Sequence, residues 1–427
     1  NYKHSWRFSN MTRMKDSGNP WVREIPSDWF EKKLRYLVKL RGEKSVTTDY
    51  KKYVGLENIM SQTGQYVQTG IEVDLTENLT FEVGDILFGK LRPYLRKYWR
   101  AEFSGTASSE FVIIKGSSLN LNFLFWAIQS DSFINDVDSS TYGSKMPRAS
   151  WEYMKNIKLP FPESIEEQTQ IADFLDKKVA QLDKVKSLLE EQIKTLEDYR
   201  QSLIYETVTK GLDKTVPLKD SGVDWIGQIP EGWGVGKLKY YFDVQLGKML
   251  QPSAINGNDI EIDYLRAINV QWDNILVDNL SKMWCNPSEV SKYEIMNGDL
   301  LVCEGGEVGR CGIVEYLSDR AIIQNAVHRI RSAERANVRF LNYYIQHTTK
   351  SKWFDILCNK ATIAHLTSEK LLNTLVVLPS ISEQIQIADF LDKKTEQINQ
   401  MIAIKKEQIE NINKQRQTLI YDYVTGK

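Results

Sequence analysis

A basic and aromatic stretch in the first half of the chain has the residue types that a nucleic-acid surface needs. Lys90–Arg100 reads KLRPYLRKYWR and contains no acidic residue. Lys and Arg neutralise phosphates, an Arg fork can bind the edge of guanine, and aromatic rings pack on sugars or bases. A solvated basic strand would have a similar composition, and this stretch alone does not decide between the two. The candidate contacts are Lys90, Arg92, Tyr94, Arg96 and Lys97.

The corresponding stretch of the second half, Glu304–Gly312, reads EGGEVGRCG. Glycines let a backbone approach phosphates, but the P-loop pattern and G-x-G-x-x-G are both absent. A tight turn pressed against a large partner is therefore favoured over a nucleotide pocket. Downstream, amide groups suit adenine and guanidinium groups suit guanine, whereas a lone His is more often a structural residue. The candidates in this half are Glu304, Gly306, Arg310, Gln324, Asn325, His328 and Arg329.

Catalytic and metal-binding arrangements are not found in the sequence. There is no nucleophile elbow, and neither Asn19-Pro20 nor Asn286-Pro287 is followed by the second proline of the tetrapeptide with which aminomethyltransferases hold a flipped base. The four cysteines contain no C-x-x-C pair, and only four histidines are present. We expect a reduced, cytoplasmic protein without a catalytic residue, metal or cofactor of its own, so that any catalysis comes from a partner.

The candidate residues lie in a chain that is duplicated. IADFLDKK occurs at residues 171–178 and again, unchanged, at 387–394. KDSGNPWVREIPSDW opens the first half at Lys15, and KDSGVDWIGQIPEGW opens the second at Lys219. Between each opening and its IADFLDKK lie short apolar and β-branched runs broken by Gly, Asn and Asp, as expected of strands and turns. Hydrophobic content is 42%, no apolar run approaches the roughly 18 residues of a membrane span, and two globular halves are predicted.

Each IADFLDKK lies at the start of a predicted long helix. Ser164 and Glu167 form an S-x-x-E capping box, Ser380 and Glu383 repeat it, and Gly211 follows the first helix. Leucines every seven residues behind the motif predict a coiled-coil seam, and two such helices in one chain should pair. The predicted seam consists of Leu175, Leu182, Leu189, Leu196, Leu203, Leu391, Ile398, Ile412 and Leu419.

The predicted fold class is α+β, with two mixed α/β domains, each followed by a long helix. The helices are expected to pair as an antiparallel coiled coil with internal pseudo-two-fold symmetry. The predicted boundaries are 1–13 for a leader or tag, 14–163 and 213–379 for the two domains, and 164–212 and 380–427 for the helices.

Taken together, these motifs closely resemble the specificity subunit of type I restriction-modification enzymes, from Met14 to the C-terminus. The resemblance is carried by the opening motif of each half, by GDILFGKLRPYLRKYW followed by Ser108, Ser109 and Glu110, by GDLLVCEGGEVGR with Gln324 and Asn325, and by EQ-x-QIADFLDKK. It adds Ser109 to the candidate DNA contacts. The repeated helix starts are its most specific part, and the domains match at scattered motifs only.

The resemblance implies two target-recognition domains, each reading one half of a bipartite, asymmetric site in double-stranded DNA. It implies a chain that is not itself an enzyme and that binds two methyltransferase subunits, which supply S-adenosylmethionine and methylate adenine at N6. Two motor-nuclease subunits can join, and a modification-only system would lack them. A coiled-coil scaffold without DNA specificity is the alternative, although it does not explain two diverged domains. No membrane partner is expected.

Local charge bears on how this DNA would be bound. Residues 14–160 carry 20 Lys and Arg against 18 Asp and Glu, residues 218–380 carry 17 against 19, and the net charge of the chain is −1. Bulk charge therefore contributes little affinity for DNA in either domain. We expect weak DNA binding by the isolated chain and strong binding only together with the methyltransferase.

Overall fold

The computed structural model describes residues 13–19, 22–46, 52–69, 77–141, 145–332, 336–358 and 365–427. The chain divides into two compact units, of which unit 1 comprises residues 1–191 and 405–427 and unit 2 comprises residues 192–404. Each unit thus contains one α/β domain together with part of both long helices. The predicted leader, residues 1–13, lies outside the described residues except for Arg13.

Unit 1 is a mixed α/β domain built mainly on two four-stranded sheets. Its strands are β1 (Met14–Asn19), β2 (Val22–Pro26), β3 (Phe30–Lys33), β4 (Val38–Leu40), β5 (Lys44–Val46), β6 (Tyr53–Val54), β7 (Glu77–Phe81), β8 (Ile86–Gly89), β9 (Tyr98–Arg100), β10 (Gly105–Ala107), β11 (Phe111–Ser117) and β12 (Lys158–Phe161). Its helices are α1 (Leu121–Ala127), α2 (Asp131–Ser139), α3 (Trp151–Met154) and the start of α4 (Ile165–Lys210). The large sheets have the strand orders β4-β11-β8-β9 and β5-β7-β10-β6, and β1-β2 and β3-β12 form two-stranded pairs.

Unit 2 repeats this architecture with added elements. Its strands are β13 (Leu218–Asp220), β14 (Gln228–Pro230), β15 (Gly234–Lys237), β16 (Phe242–Leu246), β17 (Ile260–Leu265), β18 (Val270–Gln271), β19 (Asn274–Ile275), β20 (Ser281–Cys285), β21 (Leu300–Cys303), β22 (Cys311–Ile313), β23 (Ala321–Ile323), β24 (Val327–Ser332) and β25 (Leu375–Leu378). Its helices are α5 (Pro287–Tyr293), α6 (Val338–Lys350), α7 (Trp353–Leu357), α8 (Ser368–Asn373) and the start of α9 (Ile381–Thr425). The sheet β16-β24-β21-β22 matches β4-β11-β8-β9, and the parallel pair β17-β23 matches β6-β10.

The Gly-Asp turns that recur in both halves begin strands buried on both faces. In β8, Ile86 and Phe88 join the main core of unit 1, while Leu87 between them joins the smaller core under the β5-β7-β10-β6 sheet. Successive side chains of a strand point to opposite faces, so an unbroken apolar run is required where both faces are covered. In β21, Leu300 and Leu301 divide in the same way between two cores of unit 2.

The two long helices begin where the capping signals predict. The hydroxyl of Ser164 accepts from the backbone N–H of Glu167 (3.3 Å), and that of Ser380 accepts from Glu383 (3.2 Å). Gly211, with φ of +71°, ends the first helix, as expected of a C-terminal glycine in the left-handed region. The two mixed domains, each followed by a long helix, have the predicted fold class.

Within each unit, segments of the two helices run antiparallel and share the core of the domain. In unit 1, Phe174 of α4 stacks on Tyr423 of α9, with ring centroids 4.4 Å apart. In unit 2, Ile204 from the end of α4 shares a core with Ile387 from the start of α9. The predicted seam residues are buried at Leu175, Leu391 and Ile398 and half-buried at Leu182, Leu189, Leu196, Leu203, Ile412 and Leu419.

A buried glutamine attaches each domain to the first turn of the helix that follows it. Gln168 is 1% exposed, its Oε1 accepts from the backbone N–H of Asn120 (2.8 Å), and its Nε2 donates to the carbonyl of Pro162 (2.8 Å). Gln384 makes two corresponding bonds. Its Oε1 accepts from the backbone N–H of Asn337 (2.8 Å), and its Nε2 donates to the carbonyl of Pro379 (2.9 Å). This glutamine therefore satisfies two backbone groups with one side chain in both units.

An aspartate of IADFLDKK makes a second, equivalent attachment. Asp176 accepts from the indole N–H of Trp126 (2.9 Å), and Asp392 accepts from the hydroxyl of Tyr343 (2.7 Å). Ile171, Ala172 and Leu175 are buried. The repeated motif is thus explained in large part by how each domain packs on its helix.

We predict that Gln168→Ala lowers the free energy of unfolding by about 2–4 kcal/mol, because it leaves a half-buried N–H and a buried carbonyl without partners. Chemical denaturation followed by tryptophan fluorescence measures this loss. Gln170→Ala, at an exposed position in the same helical turn, is the matched control and should unfold like wild type. Equal stability of both variants would contradict the attachment role of Gln168.

Candidate nucleic-acid interface

In both units most of the sequence candidates lie on two turns that are hydrogen-bonded to each other. In unit 1 the backbone N–H of Lys90, just after β8, donates to the carbonyl of Glu110 in the turn before β11 (2.8 Å). In unit 2 the N–H of Glu304, just after β21, donates to the carbonyl of Ala326 in the turn before β24 (3.0 Å). The structure thus brings together residues that are distant in sequence, and it does so at equivalent places in the two sheets.

A third segment completes each surface. The N–H of Ala149 donates to the carbonyl of Lys90 (2.9 Å), and the N–H of Leu366 donates to the carbonyl of Glu304 (2.8 Å). Site 1 is therefore defined by residues 90–97, 108–110 and 145–149. Site 2 is defined by residues 304–310, 324–326 and 365–366.

In site 1, a strained turn presents Arg92 and Tyr94 to solvent. Arg92 and Arg96, on either side of the 3-10 turn Pro93–Leu95, have φ values of +51° and +54°. Residues other than glycine seldom adopt this region, and such strain is concentrated at functional sites. The backbone of Arg92 is held by the carbonyl of Pro147 (2.7 Å). Its side chain is exposed, and Tyr94 is 50% exposed.

The other two cations of this turn point inward. Arg96 donates through Nη2 to Asp131 Oδ1 (2.5 Å) and through Nη1 to Gln417 Oε1 (3.2 Å). Lys97 donates to the carbonyls of Leu56 (2.7 Å) and Ile59 (2.8 Å), and burial lowers the pKa of its ammonium group. Both side chains therefore support the turn from within the unit, which differs from the surface role expected from the sequence.

The remaining part of site 1 includes residues that the sequence did not single out. Lys90 is half-buried and Ser109 is exposed. Lys145 is exposed beside Arg92, whose Nη2 donates to its carbonyl (3.1 Å), and Met146 is 52% exposed. The sequence KMPR from Lys145 contains two cations, but only the folded chain shows that it lies against the turn.

Site 2 is built on a glycine-rich turn with little cationic character. Gly306 is exposed, with φ of +76°. Gly309, with φ of +80°, has no room for a side chain, because a Cβ there would lie 2.4 Å from Thr349 Oγ1. Burial raises the pKa of the Glu304 carboxyl. Arg310 is held inside by the carbonyl of Ala267 (2.8 Å).

Two neighbouring amides form the most accessible polar part of site 2. Gln324 and Asn325 are half-buried, and Gln324 Nε2 donates to Asn325 Oδ1 (2.8 Å). The N–H of Asn325 donates to the carbonyl of Lys248 (2.9 Å). This contact places Met249, which is 75% exposed, beside the amides. No sequence signal marks Lys248 and Met249, because they follow β16, which only tertiary pairing places beside β24.

His328 and Arg329, two of the candidate DNA contacts, are both buried. His328 is fully buried, its Nε2 lies 2.7 Å from the carbonyl of Leu366, and burial lowers its imidazole pKa. Arg329 is 5% exposed and donates to the carbonyls of Lys292 (3.1 Å) and Glu294 (2.5 Å). Both residues follow the accessible amides along β24 into the core, so we do not propose them as DNA contacts.

Within the described part of the chain, no cluster of three or more His, Cys, Asp or Glu residues could hold a metal ion. All four cysteines are buried and free of disulfide bonds. Among the helices that the structure describes, none is long and apolar enough to cross a membrane.

Comparison with known proteins identifies one family. The model of the "Type I restriction modification DNA specificity domain" family matches residues 26–197 and 230–412. The specificity subunit of type I restriction enzyme MjaVIII from Methanocaldococcus jannaschii is 26% identical over 94% of this chain and 93% of its own length. The Escherichia coli EcoBI specificity subunit is 25% identical over 68% of this chain and 63% of its own length.

Two solved structures share the fold. One comes from a study of complex assembly and conformational transition of the type I R-M system, with a TM-score of 0.71 and 19% identity over 94% of this chain and 99% of that one. The other is the HsdS subunit from Thermoanaerobacter tengcongensis, with a TM-score of 0.52 and 19% identity over 94% of this chain and 98% of that one.

We predict that Arg329→Met lowers the free energy of unfolding by about 2–4 kcal/mol, because the carbonyls that the guanidinium satisfies lose their donor. Gln324→Ala, at a half-buried position on the same chain segment, should change stability by only about 0.5 kcal/mol. Chemical denaturation of both variants makes the comparison. An Arg329→Met chain as stable as wild type would place Arg329 among the surface residues after all.

Proposed function

Because the chain belongs to the type I restriction-modification DNA specificity domain family, we propose that it reads a bipartite, asymmetric DNA site, one domain for each part. The observation that carries this proposal is the equivalence of sites 1 and 2. Both are built from three segments joined by the same backbone hydrogen bonds, yet they present different side chains. Equivalent placement with different chemistry is what two readers of different base sequences require.

Site 1 has the chemistry of a reader of phosphates and guanine. Arg92 carries an exposed guanidinium on a backbone held rigidly by Pro147, and Tyr94 is available to pack on a sugar or base. A bidentate Arg–guanine contact contributes about 1–3 kcal/mol of discrimination. Lys90, Ser109 and Lys145 extend this surface.

Site 2 has the chemistry of an adenine reader. The bond from Gln324 Nε2 to Asn325 Oδ1 leaves Gln324 Oε1 free to accept and Asn325 Nδ2 free to donate. Adenine presents an N6 donor and an N7 acceptor in the major groove, which the two groups complement. The exposed Gly306 and the half-buried Glu304 border these amides on the neighbouring turn.

Two methyltransferase subunits are the proposed protein partners, with S-adenosylmethionine bound by them and two motor-nuclease subunits added where the system cleaves DNA. Internal packing accounts for the buried positions of IADFLDKK, but Asp173 and Lys177 are exposed in the first copy, as are Asp389 and Lys393 in the second. Two similar exposed faces suit two identical subunits, with Asp389 in addition paired with Arg339 (2.8 Å). This chain supplies the positioning, and the methyltransferase supplies the reaction, adenine N6 methylation.

The near-neutral domains predict that tight DNA binding needs the methyltransferase. The purified chain should bind a duplex carrying its site weakly, with little preference over a scrambled duplex, and addition of the methyltransferase should produce tight, specific binding. Gel-shift titrations at fixed salt concentration compare the two states. Equal affinity with and without the methyltransferase would refute the dependence on partners.

Substitutions in the two sites should affect different parts of the DNA target. Arg92→Ala is expected to weaken binding by the methyltransferase complex about tenfold and to reduce its sensitivity to base changes in one half-site, from the loss of one bidentate contact. Gln324→Ala should do the same for the other half-site. Arg35→Ala, an exposed arginine of unit 1 outside site 1, is the control and should bind like wild type. If both site variants respond equally to scrambling of either half-site, the assignment of one site to each half is wrong.

A further inference from the structure

A cavity in unit 1, which shares Arg96 with site 1, has a positively charged lining. It has a volume of about 610 Å³ and lies between the domain and the last turns of α9. Its lining includes the cations Arg96, Lys414 and Arg416, against the single carboxylate of Asp131. That carboxylate is already paired with Arg96. The positive charge of the other two side chains therefore has no counterpart in the lining.

Arg416 is a buried guanidinium with unused donor groups. It is 5% exposed, and neither its Nε nor its Nη1 has a hydrogen-bond partner. Asp183 lies 3.3 Å from its Nε, and its Nη2 donates to Gln129 Oε1 (3.5 Å). Asp183 therefore compensates the charge from one side, but neither Nε nor Nη1 makes a hydrogen bond. A buried unsatisfied donor is costly, so such a group is normally paired when a partner can reach it.

The internal repeat shows a different set of partners for the same arginine in unit 2, although its Nε also lacks a hydrogen bond. Arg200 stands at the position of Arg416 in the repeated sequence RQ-x-LIY. It donates through Nη2 to Asp273 Oδ2, and also to Gln346 (3.4 Å). Asp273 belongs to the domain and not to a helix. In unit 2 the domain itself thus provides a carboxylate for this arginine.

Gln62 occupies in unit 1 the position that Asp273 has in unit 2. Each follows by four residues an asparagine, Asn58 or Asn269, whose Oδ1 accepts from the backbone N–H three residues earlier (2.8 and 3.1 Å). Each of these asparagines also donates through Nδ2 to a backbone carbonyl further along the loop (3.1 Å in both). Gln62 and Asp273 both have left-handed φ values, +69° and +59°. The loops are equivalent, but the carboxylate is missing in unit 1.

The helix surface beside this position also differs in charge between the units. Lys414, which is exposed at the cavity, stands where the repeat has Asp198. Unit 1 therefore combines an additional cation on the helix with a neutral side chain on the loop. Replacement of Asp273 by Asp183 would account for the charge of Arg416, but not for Lys414 or for the open volume that both cations line.

We propose that this cavity is an oxyanion-binding site that takes a carboxylate or phosphate group, with Arg416 and Lys414 as its cationic contacts. Asp273 shows in unit 2 that a carboxylate fits against this arginine. Because Arg416 is recessed, the group must arrive as a small ion or on a slender, flexible carrier.

The test measures anion binding to the full-length chain. Sodium acetate and inorganic phosphate are titrated at constant ionic strength against sodium chloride, with the melting temperature and calorimetric heat as readouts. Wild type should show a saturable response to acetate, phosphate or both beyond that of chloride, with one site per chain. A larger response to acetate assigns the site to carboxylates, and a larger response to phosphate assigns it to phosphates.

Variants distinguish this cavity from general surface binding. Gln62→Asp places a carboxylate where unit 2 has one, so it should raise the melting temperature without anion and weaken anion binding about tenfold. Gln62→Asn is the neutral control and should bind like wild type. Lys414→Gln, at an exposed position, should weaken binding without changing the fold. The absence of a saturable wild-type response, or anion binding by Gln62→Asp equal to that of wild type, would overturn the proposal.

Discussion

The structure depends on how each α/β domain is attached to the start of the helix that follows it. The attachment uses backbone groups that cannot be left unpaired in a buried interface, and Gln168 and Gln384 satisfy two of them each. A single side chain that both accepts and donates fixes the distance and the angle of the first helical turn. Glutamate could not donate and leucine could do neither, which explains why this position carries the same residue in both halves.

This attachment permits the rest of each domain to vary. The recognition turns are joined by main-chain hydrogen bonds, such as that between Lys90 and Glu110 and its equivalent between Glu304 and Ala326. Main-chain bonds impose no side-chain identity, so a basic, aromatic turn and a glycine-rich turn can occupy the same place. Apolar strands buried on both faces hold the turns from behind. The two domains can therefore share one packing arrangement and still present different surfaces, because main-chain atoms make the hydrogen bonds between the turns.

The sequence predicts those parts of the structure that depend on the spacing of apolar residues and on helix-capping residues. The duplication, the helix starts at Ser164 and Ser380 and the apolar seam all follow from local patterns. The orientation of side chains in the turns does not. Lys97 lies in a run of cations yet donates to carbonyls inside the unit, because a turn has no fixed period that separates inward from outward positions. Met249 was missed because only tertiary pairing brings its loop to site 2.

The exchanged carboxylates illustrate how a repeated frame accommodates divergence. Arg416 and Arg200 keep their place in the two copies, and each needs an acid nearby because a buried guanidinium without one is strongly destabilising. In unit 1 the acid comes from the helix, as Asp183, and in unit 2 from the domain loop, as Asp273. Because Asp183 on the helix supplies the acid in unit 1, the loop residue Gln62 does not have to be acidic. This placement of the acid also leaves space beside the arginine, so the repeated arginine has an internal partner on the loop in one copy and an open cavity in the other.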